Sequence, residues 1–207
     1  MPTIDYYFTM ASPWAYLGHV PFLALARRHH LTVRYKPVPL GEVFPETGGL
    51  PLAKRHPARQ RYRLVELQRW RDRRGVPLRP NSRAFPFNPS LADRAILALI
   101  ARGRDPDSFM RRVFQGIWLE ERNLAEEETL AELLLAEAVE PKPLLDLAGS
   151  EEIRGRYDAN AREAIAADVF GSPSYVREGE VFWGQDRLDL LEEAVVSGRP
   201  PYTPATA

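Results

Sequence analysis

Ser12 and Pro13 stand where an aromatic-rich apolar run, Ile4 to Phe8, gives way to a helical pattern. Serine is a favoured N-cap and proline a favoured first helical residue, so the pair marks a helix start. The first N–H groups of a helix have no intrahelical partner and the dipole end is positive, so an anion is stabilised there. The chain has no thiolate of its own, because none of its 207 residues is cysteine. That excludes disulfides, thiolate metal ligands and intrinsic dithiol redox chemistry. An anion held at Ser12 must therefore come from outside.

Other residues suggest chemistry with a plainer alternative beside each. Ser172-Pro173 either opens a strand or forms a cis bond in a constrained turn. Gln185 and Asp186 are placed to cap the last helix, a role aspartate fills readily. Trp183 reads first as hairpin packing and second as a site wall, and Arg187 as a salt-bridge partner. Arg59, Arg61, Arg63, Arg69, Arg71, Arg73 and Arg74 read as a solvated helix face offset by Glu66 and Asp72. His19, His29, His30 and His56 lack metal-ligand spacing, and His29 and His30 suit a helix end. No Ser-His-Asp order, phosphate loop or carboxylate pair stands out.

The elements that position these residues fall into three zones. Residues 4–8 predict a buried strand, a helix follows from Ser12 to His29-His30 with Pro21 as a kink or irregular turn, and 31–36 alternates as a second strand. Between about 40 and 57 the prolines and glycines predict a loop. Helices are then expected from Pro57 to Arg74, from a Ser90 cap to Ile100, from Asp105-Pro106-Asp107 to Trp118, near 127–138 and near 150–167. The last zone predicts strands at 172–176 and 180–183 joined by an Arg177-Glu178-Gly179 turn, then a helix from about Asp186.

Composition narrows the function. Formal net charge is zero, against a nucleic-acid protein, which needs a basic excess. A 44% hydrophobic share suffices for a core. No apolar run reaches the length of about 18 residues that a membrane span needs. The start, Met1-Pro2-Thr3-Ile4-Asp5, lacks the features of a signal peptide, so the cytoplasm is the expected location.

The order β-α-β, helices, β-β-α is that of an α/β thioredoxin-like fold with a large all-helical insertion. The expected boundaries are 1–40 and 166–207 for the thioredoxin-like part and 41–165 for the helices. In thioredoxin-like oxidoreductases the first strand-to-helix junction carries Cys-Pro-Trp-Cys or a variant; here it reads Ser12-Pro13-Trp14-Ala15. The segments 6–17, 57–62, Phe85-Pro86-Phe87-Asn88, 169–173 and 182–188 resemble the 2-hydroxychromene-2-carboxylate isomerases, a family allied to kappa-class glutathione transferases and the DsbA-type fold.

The resemblance implies that Ser12 activates glutathione as its thiolate, a nucleophile-activating role. It implies that Ser172, before a cis Pro173, pairs its backbone with the tripeptide, and that Gln185 and Asp186 hold the γ-glutamyl end, with Trp183 beside them. Arg59 takes the place of a frequent lysine that binds ligand anions. Serine at 172 replaces a more common valine, Pro45 replaces a frequent lysine, and an asparagine near Gly48-Gly49-Leu50 is absent. The implied reaction interconverts 2-hydroxychromene-2-carboxylate and trans-o-hydroxybenzylidenepyruvate, a step of aromatic catabolism, in a possible homodimer. A kappa-type transferase releasing a conjugate and a non-enzymatic thiol- or peptide-binding protein are the alternatives.

Overall fold

A computed structural model describes residues 1–204; residues 205–207, the end of the expected thioredoxin-like span, lie outside it. The first strand, β1 (Thr3–Phe8), is almost wholly buried and occupies an inner position of a four-stranded sheet. Helix α1 (Pro13–Arg28) crosses over to β2 (Thr32–Pro37), which pairs parallel to β1 with Tyr6 opposite Tyr35. Pro21 lies within the continuous α1 helix. After the helices, β3 (Ser174–Arg177) pairs antiparallel to β1 and β4 (Glu180–Trp183) antiparallel to β3, giving the order β2-β1-β3-β4. The β3–β4 turn uses Glu178 and Gly179, both at positive φ (52° and 87°), the geometry that suits a two-residue hairpin.

Two segments depart from the sequence expectation. The span expected as a loop contains a helix, α2 (Leu40–Thr47), despite Pro45 inside it. Val43 is fully buried with Val38, Ala161 and Ala164, and that packing outweighs the one backbone hydrogen bond a proline removes. Helices α3 (Pro57–Arg74), α4 (Ser90–Ala101), α5 (Asp107–Trp118) and α6 (Glu127–Leu135) follow. An additional helix, α7 (Pro141–Ala148), precedes α8 (Glu151–Ala166). Its Pro141 and Pro143 lie in the first turn, where N–H groups have no helical partner anyway.

Ser90 is the first residue of α4 rather than its cap; Pro89 holds the cap position, and the Asn88 side chain accepts from the Ser90 N–H at 3.0 Å. Asp186 likewise sits in a short 3-10 turn, Gln185–Arg187, ahead of α9 (Leu188–Ser197).

One apolar core joins the sheet to the helices. It includes Ile4, Tyr6 and Phe8 of β1, Phe22 of α1, Ile96 and Leu99 of α4, and Phe114 and Trp118 of α5. An ion-pair cluster fixes α1 against α5. Asp107 bonds His19 Nε2 at 3.1 Å, Arg27 at 2.6 Å and Arg111 at 2.7 Å. Burial raises the Asp107 carboxyl, but these hydrogen bonds win and hold it well below the carboxylate range; burial pushes His19 down. The helix bearing Ser12 is thus anchored along its length.

Candidate active site

Ser12 does two things at once. Its Oγ accepts from the Ala15 N–H at 3.2 Å, capping α1, and its hydroxyl donates to the Ser172 carbonyl at 3.0 Å. Pro13 has no N–H, and among the described residues the Trp14 N–H has no hydrogen-bond partner. The start of α1 therefore presents a hydroxyl, an open amide and a positive dipole end, a donor set that fits a thiolate.

The Ser172–Pro173 bond is cis, as expected, and a second cis bond joins Phe85 to Pro86. Ser172 Oγ accepts from the Thr9 N–H at 3.1 Å, so this side chain ties the proline loop to the turn before Ser12. The Ser172 N–H has no partner among the described residues, and its carbonyl, having two lone pairs, retains room beside the Ser12 hydroxyl. That open N–H and C=O pair is what an extended peptide needs to dock as an added strand.

A backbone bond from Gly184 N–H to the Pro173 carbonyl at 2.9 Å joins the 183–187 segment to the same loop. Gly184 has φ 102°, and a Cβ there would lie 2.3 Å from Asp186 Oδ1, so only glycine lets that carboxylate fold back. Asp186 is exposed and pairs with Arg187 at 2.5 Å. Trp183 is half-exposed, packed edge-on against Phe170 at 4.7 Å and pressed on Gly171.

Gln185 is buried, and its side-chain and backbone oxygens accept from Arg74 Nε at 2.9 Å and Nη2 at 2.7 Å. Ser12, Ser172, Pro173 and the 183–186 segment are thus linked by direct bonds. Arg59, exposed on the first turn of α3, makes no hydrogen bond or ion pair with any of them among the described residues. The expected offset of the arginine face is only partial: Glu66 pairs with Arg69 and Asp72 with Arg71, while Arg63 is half-buried against Phe85.

Sequence reasoning missed the acid beneath the site. Asp93 of α4 is fully buried and accepts from the Met10 N–H at 2.8 Å, the Thr9 hydroxyl at 2.9 Å and the Tyr157 hydroxyl at 2.8 Å. Burial pushes its carboxyl up to about 7, and the three hydrogen bonds only partly oppose that. It fastens the Thr9–Ala11 turn, and with it Ser12, to the helical part of the chain. Its sequence signal was an aspartate on the apolar face that carries Ala92 and Ile96.

Fold and site together define a thioredoxin-like protein that carries no cysteine: the chain belongs to the family of DSBA-like thioredoxin domains, whose model matches residues 3–196. Among characterised relatives, a 2-hydroxychromene-2-carboxylate isomerase of Sphingobium xenophagum is 30% identical over 195 residues, covering 92% of this chain and 96% of that protein. Glutathione S-transferase kappa 1 of Caenorhabditis elegans is 24% identical over 212 residues, covering 97% and 93%. A solved 2-hydroxychromene-2-carboxylate isomerase superposes with TM-score 0.79 at 27% identity, covering 94% of this chain and 95% of that one. The cytosolic disulfide reductase DsbM of Pseudomonas aeruginosa, solved with GSH, shares the fold at TM-score 0.69 and 19% identity. No helix among the described residues is long and apolar enough to cross a membrane.

Proposed function

We propose that this protein is a glutathione-dependent isomerase that interconverts 2-hydroxychromene-2-carboxylate and trans-o-hydroxybenzylidenepyruvate, or a close relative of that pair. The observation that carries the reading is the Ser12 hydroxyl at the open start of α1, 3.0 Å from the carbonyl that precedes cis Pro173. It puts an anion-stabilising donor and a peptide-binding edge side by side. Bound glutathione supplies a thiolate that adds reversibly to a conjugated carbon, so that the ring opens, the former double bond rotates and the thiol is regenerated.

The protein's part is to ionise, aim and hold. Ser12 turns its hydroxyl from the Ser172 carbonyl to the sulfur and keeps it deprotonated, helped by the Trp14 N–H and the dipole of α1. Ser172 offers its N–H and C=O to the cysteinyl backbone. Asp186 accepts the γ-glutamyl ammonium, Gln185 holds the turn that presents it, Trp183 flanks it, and Arg59 draws in a carboxylate. The reading also places the protein in the cytoplasm, where glutathione is kept reduced, as a homodimer.

The test is turnover of 2-hydroxychromene-2-carboxylate with catalytic glutathione, followed by NMR. Isomerisation that stops when glutathione is withheld and leaves the free thiol unconsumed is the expected result; isomerisation at the same rate without thiol contradicts it. The kappa relative favours one second reading, conjugate formation. Stoichiometric loss of glutathione to an aryl halide would select that reading.

A further inference from the structure

The cavity between α3 and the 80–85 segment carries arginine charge that forms no ion pair among the described residues. It encloses about 600 Å³ and is lined chiefly by Pro57, Gln60, Arg61, Arg63, Asn81 and Phe85, with no carboxylate among its walls. That volume lies within the usual range of small-molecule sites, about 300–1,000 Å³. The Arg63 guanidinium sits 5.5 Å from the centre of the Phe85 ring. Among the described residues Arg63 makes no hydrogen bond and no ion pair. Burial, and then the like charge of Arg55, hold it down to about 10.

The adjoining cavity, about 540 Å³, shares Leu64, Pro80 and Asn81 and is lined by Arg71, Arg79 and Arg83, but it carries a carboxylate, Glu121. There Glu121 accepts from Arg79 at 3.4 Å and from the Arg83 N–H at 2.9 Å. A half-buried cation set against an aromatic ring with no anion beside it costs folding free energy, so an arginine left in that state is better explained by a ligand than by stability.

We propose that the Arg63 cavity is a binding site for an aromatic carboxylic acid, whose carboxylate is held by the Arg63 guanidinium and whose ring rests among Phe85, Pro57 and Leu64. The guanidinium fork matches a carboxylate with two parallel bonds, and Phe85 and the apolar walls favour an organic anion over inorganic phosphate. The assignment of that acid as the isomerase's substrate rests on the function proposed above; the site itself does not.

Salicylate serves as the probe, titrated calorimetrically into the full-length protein and its Arg63→Gln and Arg63→Lys variants, with inorganic phosphate as control. Loss of a charge-assisted bond predicts salicylate binding weakened about 10-fold or more in Arg63→Gln and less in Arg63→Lys. The melting temperature of Arg63→Gln is expected to equal or exceed that of the wild type, with glutathione affinity unchanged. Unchanged salicylate binding in Arg63→Gln, or phosphate bound as tightly as salicylate, overturns the site. Arg63-dependent salicylate binding by a protein that ignores glutathione would leave the site standing and sink the isomerase reading instead. Thiol-dependent isomerisation unaffected by Arg63→Gln would leave the isomerase reading standing and sink the assignment of that acid as its substrate.

Discussion

The Ser12 hydroxyl donates to the Ser172 carbonyl at 3.0 Å across 160 residues of sequence, so distant parts of the chain meet at the candidate site. One proton thereby joins the helix start to the cis-proline loop. The same oxygen caps α1, so substituting it tests two roles that separate in measurement.

Ser12→Ala is expected to lower kcat/KM by roughly 10²–10³, the cost of losing a positioned donor to a developing or resident anion. Loss of the cap adds a stability penalty of about 1 kcal/mol. Ser12→Thr keeps both functions in part and should fall between. Full activity in a folded Ser12→Ala protein would remove this residue from the chemistry.

The pH dependence of stability turns on Asp93. Its folded-state carboxyl stands at about 7, above its unfolded value of 3.8, so between these limits the native state holds a proton that the unfolded chain has released. Its contribution is greatest at low pH and fades as pH rises toward and through 7. Asp107 works the other way, its stabilisation present above the normal carboxylate range and lost as pH falls below it. Between about pH 5 and pH 7 Asp93 makes stability fall with pH while His19, held below its ordinary value, makes it rise. Asp93→Asn should therefore turn the slope measured by urea denaturation upward. An identical slope in the variant would place the titration elsewhere.

The Arg74–Gln185 contact gives a prediction about binding alone. Arg74 holds both oxygens of Gln185. Arg74→Met is expected to raise KM for glutathione several-fold while leaving kcat nearly unchanged, because the turn bearing Asp186 loses its brace. A fall in kcat at constant KM would contradict that placement.

Gly18 offers a test of packing by sign. In a helix interior, replacing glycine with alanine ordinarily stabilises by up to about 1 kcal/mol. Here the added Cβ would lie 2.6 Å from Gln185 Cβ and 2.9 Å from the Tyr175 hydroxyl oxygen. Gly18→Ala should therefore destabilise by about 1–3 kcal/mol and weaken glutathione binding. A more stable, fully active variant would show that α1 and the Gln185–Arg187 turn are not held so closely.

The sequence made legible what depends on neighbours in the chain. Ser12-Pro13 reads as a helix start and Arg177-Glu178-Gly179 as a hairpin turn, because caps and turns are written within a few residues. Ser172-Pro173, by contrast, reads locally as either a strand opening or a cis turn, and only the resemblance chooses the latter. The order of strands and helices followed from the same local signals. Asp93 was hidden because its donors, Met10 and Tyr157, lie 83 and 64 residues away. Pro45 suggested a loop because the packing of Val43 on α8 is a tertiary fact. Arg63 looked like one more solvated arginine because only the fold sets Phe85 against it. What stayed illegible in each case was a long-range contact that reverses a local preference.

The central claim is that Ser12 holds a sulfur it does not own. A crystal structure with glutathione tests it most directly. The account predicts the cysteinyl sulfur within hydrogen-bond reach of Ser12 Oγ and the tripeptide backbone paired with the Ser172 N–H and C=O. Glutathione bound with its sulfur turned away from Ser12, or in another cavity altogether, would contradict it.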